Sequence, residues 1–416
     1  MAGKSTNAMK QRRSNERIAL AHIRQNGKAS KADIARMADL TPAGAGLIVD
    51  ALESAGFINT VGKRFGRRGS PSVLYALNAD RLFSIGFKIG RLTLETIMVD
   101  FVGRERARQE HDYSWPDPAF VRRAGIEALE KFRQQIEQCR ATELSGIGIA
   151  VPYFLGGWGG ELRFPDDLGS RWAATDLHTL FADDVGLPVY VENDASAAAL
   201  GELVFGDGAC LRDFMHISID TLVGGGLVQD GKLQTGPHGN GAALGPLPVS
   251  PSAISPIPAG GTRLLHRASA FTLLEHLRRH GHPVGRIQDL ELETHHELPA
   301  VAVWLEDCAE ALVEAIVAIA SVVDIEAVVL DSVLPGTLNN RLLNLVQTRF
   351  ARAPLAGIVP PAIIGGSFGA RTASVGAAAL PLSAFLDESS PVHLTAGKAM
   401  SALNRSTSRA RPNERA

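Results

Sequence analysis

The order of elements from Leu82 onward constrains this chain more than any single residue does. LFSIGFKIG, LTLETIMVD and RERARQEHD read as three consecutive strands, followed by an amphipathic helix over about 118–139 and the apolar, Gly-rich strand GIGIAVP at 146–152. A helix around 176–185, the strand VYVEN and an Ala-rich helix over about 194–205 complete the set. Strands in a row followed by alternating helix and strand imply an α/β unit on a mixed sheet. The plan then recurs. FMHISID, TLVGGGLVQD and GKLQT form a second three-strand set, followed by helices at about 262–280 and 300–323, the strand AVVLD, a helix over 338–350 and a last helix after Gly369. No residues repeat between the halves, only the order of elements. The expectation is two lobes, 81–206 and 207–382, with the aperiodic Ser-, Arg-, Asn- and Pro-rich stretch 383–416 as a flexible tail.

A different pattern precedes them. Residues 1 to about 14 are polar and read as disordered, and a first helix runs through Ile18, Ala19 and Ile23 to a stop at Gly27. Ser30 with Asp33 three residues on is a capping-box start, and Ile34, Ala35 and Met37 give a short helix one buried stripe. Thr41 fits an N-cap, Pro42 the first helical position and Gly56 the left-handed C-terminal position; Leu47, Ile48, Ala51, Leu52 and Ala55 are the expected buried face. Two helices joined at 39–41 resemble a helix-turn-helix, whose second helix enters a DNA major groove. Residues 57–61, the basic tip KRFGRRGSPS and residues 73–77 look like the wing of a winged helix, so 1–80 is expected to be a DNA-binding domain.

Charge supports that division. Met1 to Ala79 holds 13 Lys+Arg against 5 Asp+Glu, a surplus of 8, and with the whole chain at −2 the remainder carries about −10. A basic end on an acidic body is the electrostatic footprint of a nucleic-acid-binding module attached to something else. Cys139, Cys210 and Cys308 are far apart, form no metal-ligand spacing and cannot all pair, which fits a reducing cytoplasm. The polar N-terminus lacks a secretory h-region, and the most apolar stretch, 315–323, is too short to span a bilayer. A cytoplasmic protein with no membrane partner is expected.

Within the body, several motifs resemble the ROK family, which groups bacterial repressors and sugar kinases on the two-lobed, actin-like ATPase (ribonuclease H-like) fold. They are GIGIAVP at 146–152, VENDASAAALGE at 191–202, VGGGLVQDGKL at 223–233, GNGAALG at 239–245 and VGAAAL at 375–380. The winged helix matches the repressor branch. In the family's kinases the aspartate of the Glu-Asn-Asp motif is the general base toward the sugar hydroxyl. By position this is Asp194, with Asn193 as a hydroxyl partner; the plainer alternative is that Asp194 caps the Ala-rich helix, and both can hold. With Gly239 and Asn240, these residues form the expected effector site.

Three departures argue against catalysis. The family's phosphate turn, Asp-x-Gly-Gly-Thr, is here Lys88-Ile89-Gly90-Arg91-Leu92, which lacks the carboxylate, the second glycine and the hydroxyl. The Gly-Glu-x-Gly-His segment, source of a sugar-binding Glu and a zinc ligand, is Ala242-Ala243-Leu244-Gly245-Pro246. The zinc loop that should follow is PLPVSPSAISPIPAGG, without cysteine or histidine. No catalytic residue, cofactor or metal is therefore expected. His276, His280 and His282, with His295 and His296, sit in an Arg-rich segment that reads as solvated surface.

The resemblance implies a transcriptional regulator that binds double-stranded DNA as a homodimer or dimer of dimers and responds to a carbohydrate or related effector. An active sugar kinase with an appended DNA-binding domain is the alternative. Ser30, Lys31, Thr41, Pro42, Ala43 and Gly44 are the expected helix-turn-helix contacts, joined by Lys63, Arg64, Arg67 and Arg68 of the wing. Ala43, Gly44, Ala45 and Gly46 cannot make bidentate base contacts, so hydrogen bonding falls to the wing, whose arginines suit a narrow A·T-rich minor groove or only neutralise phosphates. Either way, Arg67→Ala with Arg68→Ala should lower the slope of log affinity against log salt by about 2. An unchanged slope in titrations of the double variant removes the wing tip from the interface.

Overall fold

The computed structural model describes residues 2–386 apart from 66–70, 139–142, 156–163, 182–185, 259 and 292–295. Arg67, Arg68, His295, Cys139 and all but the first residues of the expected tail lie outside the described residues. Helix α1 (Ala2–Asn26), strand β1 (Ala29–Ser30), helices α2 (Lys31–Met37) and α3 (Pro42–Ser54) and strands β2 (Ile58–Arg64) and β3 (Ser72–Leu77) build the N-terminal unit. Its sheet has the order β1-β3-β2, and β2 and β3 pair antiparallel from Ile58↔Leu77 to Arg64↔Ser72 as a wing. The stretch before residue 14 belongs to α1 and is not separate from it.

Both expected caps form. The Ser30 hydroxyl accepts from the Asp33 amide while Asp33 accepts from the Ser30 amide, and Thr41 accepts from the Gly44 amide. The buried face of α3 differs from expectation. Ala45, Ile48, Val49 and Leu52 face the core at i, i+3, i+4 and i+7, and Leu47 is 72% exposed. The alternative stripe through Leu47 has similar hydrophobicity, and packing against α1 and α2 decides between them.

Two five-stranded sheets follow. The first comprises β4 (Leu82–Ile89), β5 (Thr93–Asp100), β6 (Glu105–Asp112), β7 (Glu143–Val151) and β8 (Val189–Asn193) in the order β6-β5-β4-β7-β8. The second comprises β9 (Phe214–Ile219), β10 (Val223–Gln229), β11 (Lys232–Gln234), β12 (Ala327–Ser332) and β13 (Ala362–Gly365) in the order β11-β10-β9-β12-β13. In each, the first three strands are antiparallel and the last two join parallel to the first. This duplicated plan is the actin-like ATPase architecture. Strand β13, hidden between Pro361 and Gly366, carries too few residues for its pattern to be read.

Helix α4 (Pro118–Gln138) covers the first sheet and a short α5 (Leu168–Ala173) follows; of the helix expected over 176–185, residues 177–181 form turns and 182–185 lie outside the described residues. In the second lobe, α7 (Ala270–Arg279), α8 (Pro299–Ala320) and α9 (Gly336–Phe350) enclose a core centred on Trp304, Leu312 and Leu342. Between the sheets lie α6 (Asp194–Phe205) and α10 (Thr372–Leu386), the latter continuing past Ser383. Helix α10 belongs to the second half by order, yet it packs on β4, β5 and β7 of the first sheet, while α6 packs on β10 of the second.

Only small residues permit this crossing. A Cβ on Gly376 would lie 1.9 Å from the Ala197 carbonyl oxygen, one on Gly148 would lie 1.8 Å from the Ala377 carbonyl oxygen, and one on Gly86 would lie 2.5 Å from backbone atoms of Ser374 and Ala378. Backbone cannot retreat as a side chain can. Gly148→Ala is therefore expected to cost more than about 3 kcal/mol or prevent folding, whereas Gly46→Ala, with open space around its Cβ on α3, should stabilise by about 0.5–1 kcal/mol. Urea titrations check both, and equal effects would show that the seam yields.

Candidate functional site

Strand β8 ends at Asn193, where the backbone turns into α6 at the cleft between the lobes. The cap is Asn193 and not Asp194: its side-chain oxygen accepts from the Ala195 and Ser196 amides, both at 3.1 Å. Its amide group donates to Asp194 Oδ1 at 3.2 Å, so Asn193 also positions Asp194 while itself lining the cavity. Asp194 also accepts from the Ala195 amide at 2.9 Å. Burial raises the Asp194 pKa and Asp220 adds to that; Arg91, Lys88 and the Ala195 amide oppose it without reversing the direction.

Asp194 borders a cavity of about 180 Å³ that also involves Arg91, Tyr153, Asp220, Asn240 and Leu244. Asn193, Asp194 and Asn240 are thus brought together as expected. Gly239 does not line the cavity; at φ +68° it makes the turn that delivers Asn240. Ala242 lines it at φ +55°, a left-handed conformation that strains any residue with a Cβ. Tyr153 donates from its hydroxyl to the His238 carbonyl at 2.8 Å and ties the first lobe to the second beside this cavity.

The most consequential residue that motif reading missed is Asp220, at the end of β9. Lys88 ends β4, the strand equivalent to β9 in the other lobe, and its ammonium meets the Asp220 carboxylate at 2.5 Å. For Lys88, burial alone would lower the pKa, but Asp220 and Glu95 outweigh it and hold it above the ordinary lysine value. For Asp220, burial alone would raise it, but Lys88 outweighs it and lowers it. The pair therefore stays ionised. A second cavity of about 230 Å³, lined by Lys88, Tyr113, Thr221, Phe271 and Arg286 among others, also borders Asp220. Only the mirrored ends of two non-adjacent strands reveal this contact, so no local pattern announces it.

Among the described residues, one group has metal-ligand spacing: Glu202, His216 and Asp331, all buried. Ser367 donates to both Glu202 oxygens, the Gly369 amide donates to Asp331, and His216 Nε2 lies 3.4 Å from Asp331. This network joins α6 to β9, β12 and the start of α10. The histidine segment differs from expectation, because His276 is buried rather than solvated.

Of the residues expected to contact DNA, not all are exposed. Ser30 is 1% exposed and its hydroxyl serves the cap, so it cannot meet DNA. Arg64 donates to Asp33 at 2.8 Å and to Ser30, and Lys31 pairs with Asp50 at 2.7 Å. Burial of Asp33 is outweighed by hydrogen bonds from Ser30 and Arg64, which lower its pKa to about 2. Ala45 is buried. Thr41, Pro42, Ala43 and Lys63 remain exposed, joined by Leu47 and by Phe65, which is 77% exposed at the base of the wing tip.

Residues 84–383 match the model of the ROK family. The chain belongs to the ROK family. It is 28% identical over 376 residues to the uncharacterized protein y4fQ of Sinorhizobium fredii, covering 88% of this chain and 90% of that one. The xylose repressor of Caldicellulosiruptor bescii is 28% identical over 56% of this chain and 57% of its own, and the glucokinase of Halalkalibacterium halodurans is 28% identical over 49% and 61%. The chain thus spans a little over half the length of these two named relatives. Among solved structures, a ROK family transcriptional regulator, a homolog of the E. coli MLC protein, has the same fold with TM-score 0.65 and 21% identity, over 90% of this chain and 97% of that one. Relatives named as repressors and relatives named as glucokinases both match this chain.

In this ROK body, the raised Asp194 pKa makes a prediction about stability. A carboxyl whose folded pKa is raised contributes stability at low pH that is lost as pH rises through the folded value. Asp194→Asn should therefore be more stable than wild type at pH 7, with the gap closing as pH falls toward the ordinary carboxylate value of 3.8. Chemical denaturation across that range checks it, and a variant less stable than wild type at pH 7 would assign Asp194 to holding the fold.

Proposed function

We propose that this ROK protein is a DNA-binding transcriptional regulator, acting as a repressor, whose kinase-like body no longer transfers phosphate and instead reads a small-molecule effector in the interlobe cleft. The observation that carries this reading is α6 itself. Its first turn holds Asn193 and Asp194 at the cleft, and its last residue, Phe205, lies under Arg24 of α1 in the N-terminal unit, 5.3 Å from guanidinium to ring centroid. Arg24 also covers Phe101 at 5.0 Å and donates to its carbonyl at 2.8 Å. The winged helix is thus fastened to the far end of the element that borders the effector cavity. A carbohydrate is the effector class that the repressor-named relatives favour, and two-fold pairing of the chain would set the spacing of two DNA heads.

The loss of phosphoryl transfer is supported by the Lys88–Asp220 pair. It places a bulky side chain at the phosphate turn and commits the Lys88 ammonium to Asp220, so that cation is not free to receive a phosphate. An effector shifts the DNA-binding equilibrium only through different affinity for two arrangements, and Arg24 against Phe205 is the contact through which that difference would pass.

The test is duplex selection from a random pool with the full-length protein. Enrichment of two half-sites separated by whole helical turns is expected, with Arg24→Ala still binding DNA but responding at least tenfold less to an effector that releases the wild type. Sugar-dependent ADP production should not exceed that of Asp194→Ala. Clear ADP production by the wild type alone would replace this reading with that of a kinase carrying a DNA-binding domain.

A further inference from the structure

The Asp194 end of the cleft suits hydroxyls, but the wall formed by Arg91 is poorly suited to a neutral sugar. Arg91 lines the cavity, and its Nε has no hydrogen-bond partner. Among the described residues no carboxylate lies within ion-pair distance of it, although Asp194 and Asp220 act on it through space. Lys88, by contrast, is satisfied by Asp220 at 2.5 Å. A guanidinium withdrawn from water with an unmet donor is costly, and its planar fork matches a carboxylate through two parallel hydrogen bonds.

Charge limits the ligand further. Lys88 is engaged by Asp220, which leaves Arg91 as the cation of the cavity wall that has no ion-pair partner among the described residues. A single negative charge on the ligand matches that one cation. A phosphate dianion would bring a second negative charge beside the Asp194 and Asp220 carboxylates. The cavity, about 180 Å³, is below the size of drug-binding pockets, which favours a compact ligand.

We propose that the cleft selects a polyhydroxy monocarboxylate, a sugar acid, with its carboxylate on Arg91 and its hydroxyls on Asp194 and Asn240. This rests on the effector reading above and names the chemistry of that effector. Lys88, Asp220 and Arg91 then share the work at the former phosphate turn: the ion pair closes the phosphate position, and the arginine beside it provides an anion site of lower charge.

The experiment is calorimetric titration of the full-length protein at pH 7 and fixed ionic strength. Its panel contains aldonates and uronates of varied stereochemistry, the matching neutral sugars and their phosphate esters. At least one acid is expected to bind ten times more tightly than its neutral counterpart and its phosphate ester. Arg91→Gln should lose that tenfold preference, and Arg91→Lys, which keeps the charge but not the fork, should recover part of it. Tight binding of a neutral sugar unchanged in Arg91→Gln, or tighter binding of a phosphate ester than of any acid, would overturn the sugar-acid assignment and leave the effector reading standing. Absence of binding across all three classes would remove the effector reading itself.

Discussion

The rest of the molecule depends on backbone contact between α6 and α10. Gly201 and Gly376 bring the two helices together, Gly86 and Gly148 admit α10 onto the first sheet, and Gly224 and Gly226 admit α6 onto the second. Alanines at 197–199 and 377–379 fill the seam with single methyl groups, all of them fully buried. Close approach of this kind replaces large interdigitated side chains with many short backbone contacts, and it makes relative position very sensitive to one methylene. Because each helix touches both halves, the lobes cannot be treated as independently packed bodies.

That seam places the ends of β4 and β9 opposite each other, and so brings Lys88 to Asp220. Breaking a buried ion pair by removing one partner costs about 3–5 kcal/mol, because the survivor keeps its desolvation penalty without compensation. The pair, with Lys88 buried and Asp220 about a quarter exposed, joins the two lobes at the end of β4. Further bridges from Arg286 to Asp112 and from Arg371 to Glu105 join the lobes at exposed positions, where salt screening leaves little net energy.

The N-terminal unit is joined by a shared core and not by a tether alone. Ile23, Ile34 and Leu52 belong to one hydrophobic cluster with Ile97, Phe101, Val375 and Leu382 of the body. Phe57 stacks on Phe385 at 5.6 Å and meets Phe101 edge-on at 5.9 Å, while Arg81 lies over Phe57 at 4.6 Å. Burial lowers the pKa of Arg24 to about 10, with Asp100 opposing, which leaves it charged at neutral pH and able to make its cation–π contacts. Movement of α10 or of the end of α6 must repack this junction, and that is how a change at the cleft would reach the wing.

Local chemistry was legible wherever it depends on neighbours in sequence. The capping box of Ser30 and Asp33, the Thr41 cap, the two three-strand sets and the motif that delivers Asp194 follow from hydrogen-bonding groups and periodicities within a few residues of each other. Tertiary structure decided what depends on distant partners. It chose Ala45 over Leu47 for the core, because both faces of α3 are apolar and only α1 and α2 distinguish them. It made Asn193 the cap, through the Ala195 and Ser196 amides, and set Asp194 against the cavity, because two adjacent cap-forming residues compete for the same amides. It buried Ser30, and it gave Lys31 and Arg64, whose side chains stay exposed, protein partners in Asp50 and Asp33. It also paired Lys88 with Asp220 across 132 residues of chain, since the meeting of two strand ends from separate sheets is a property of how the lobes pack and leaves no periodicity for a sequence to display.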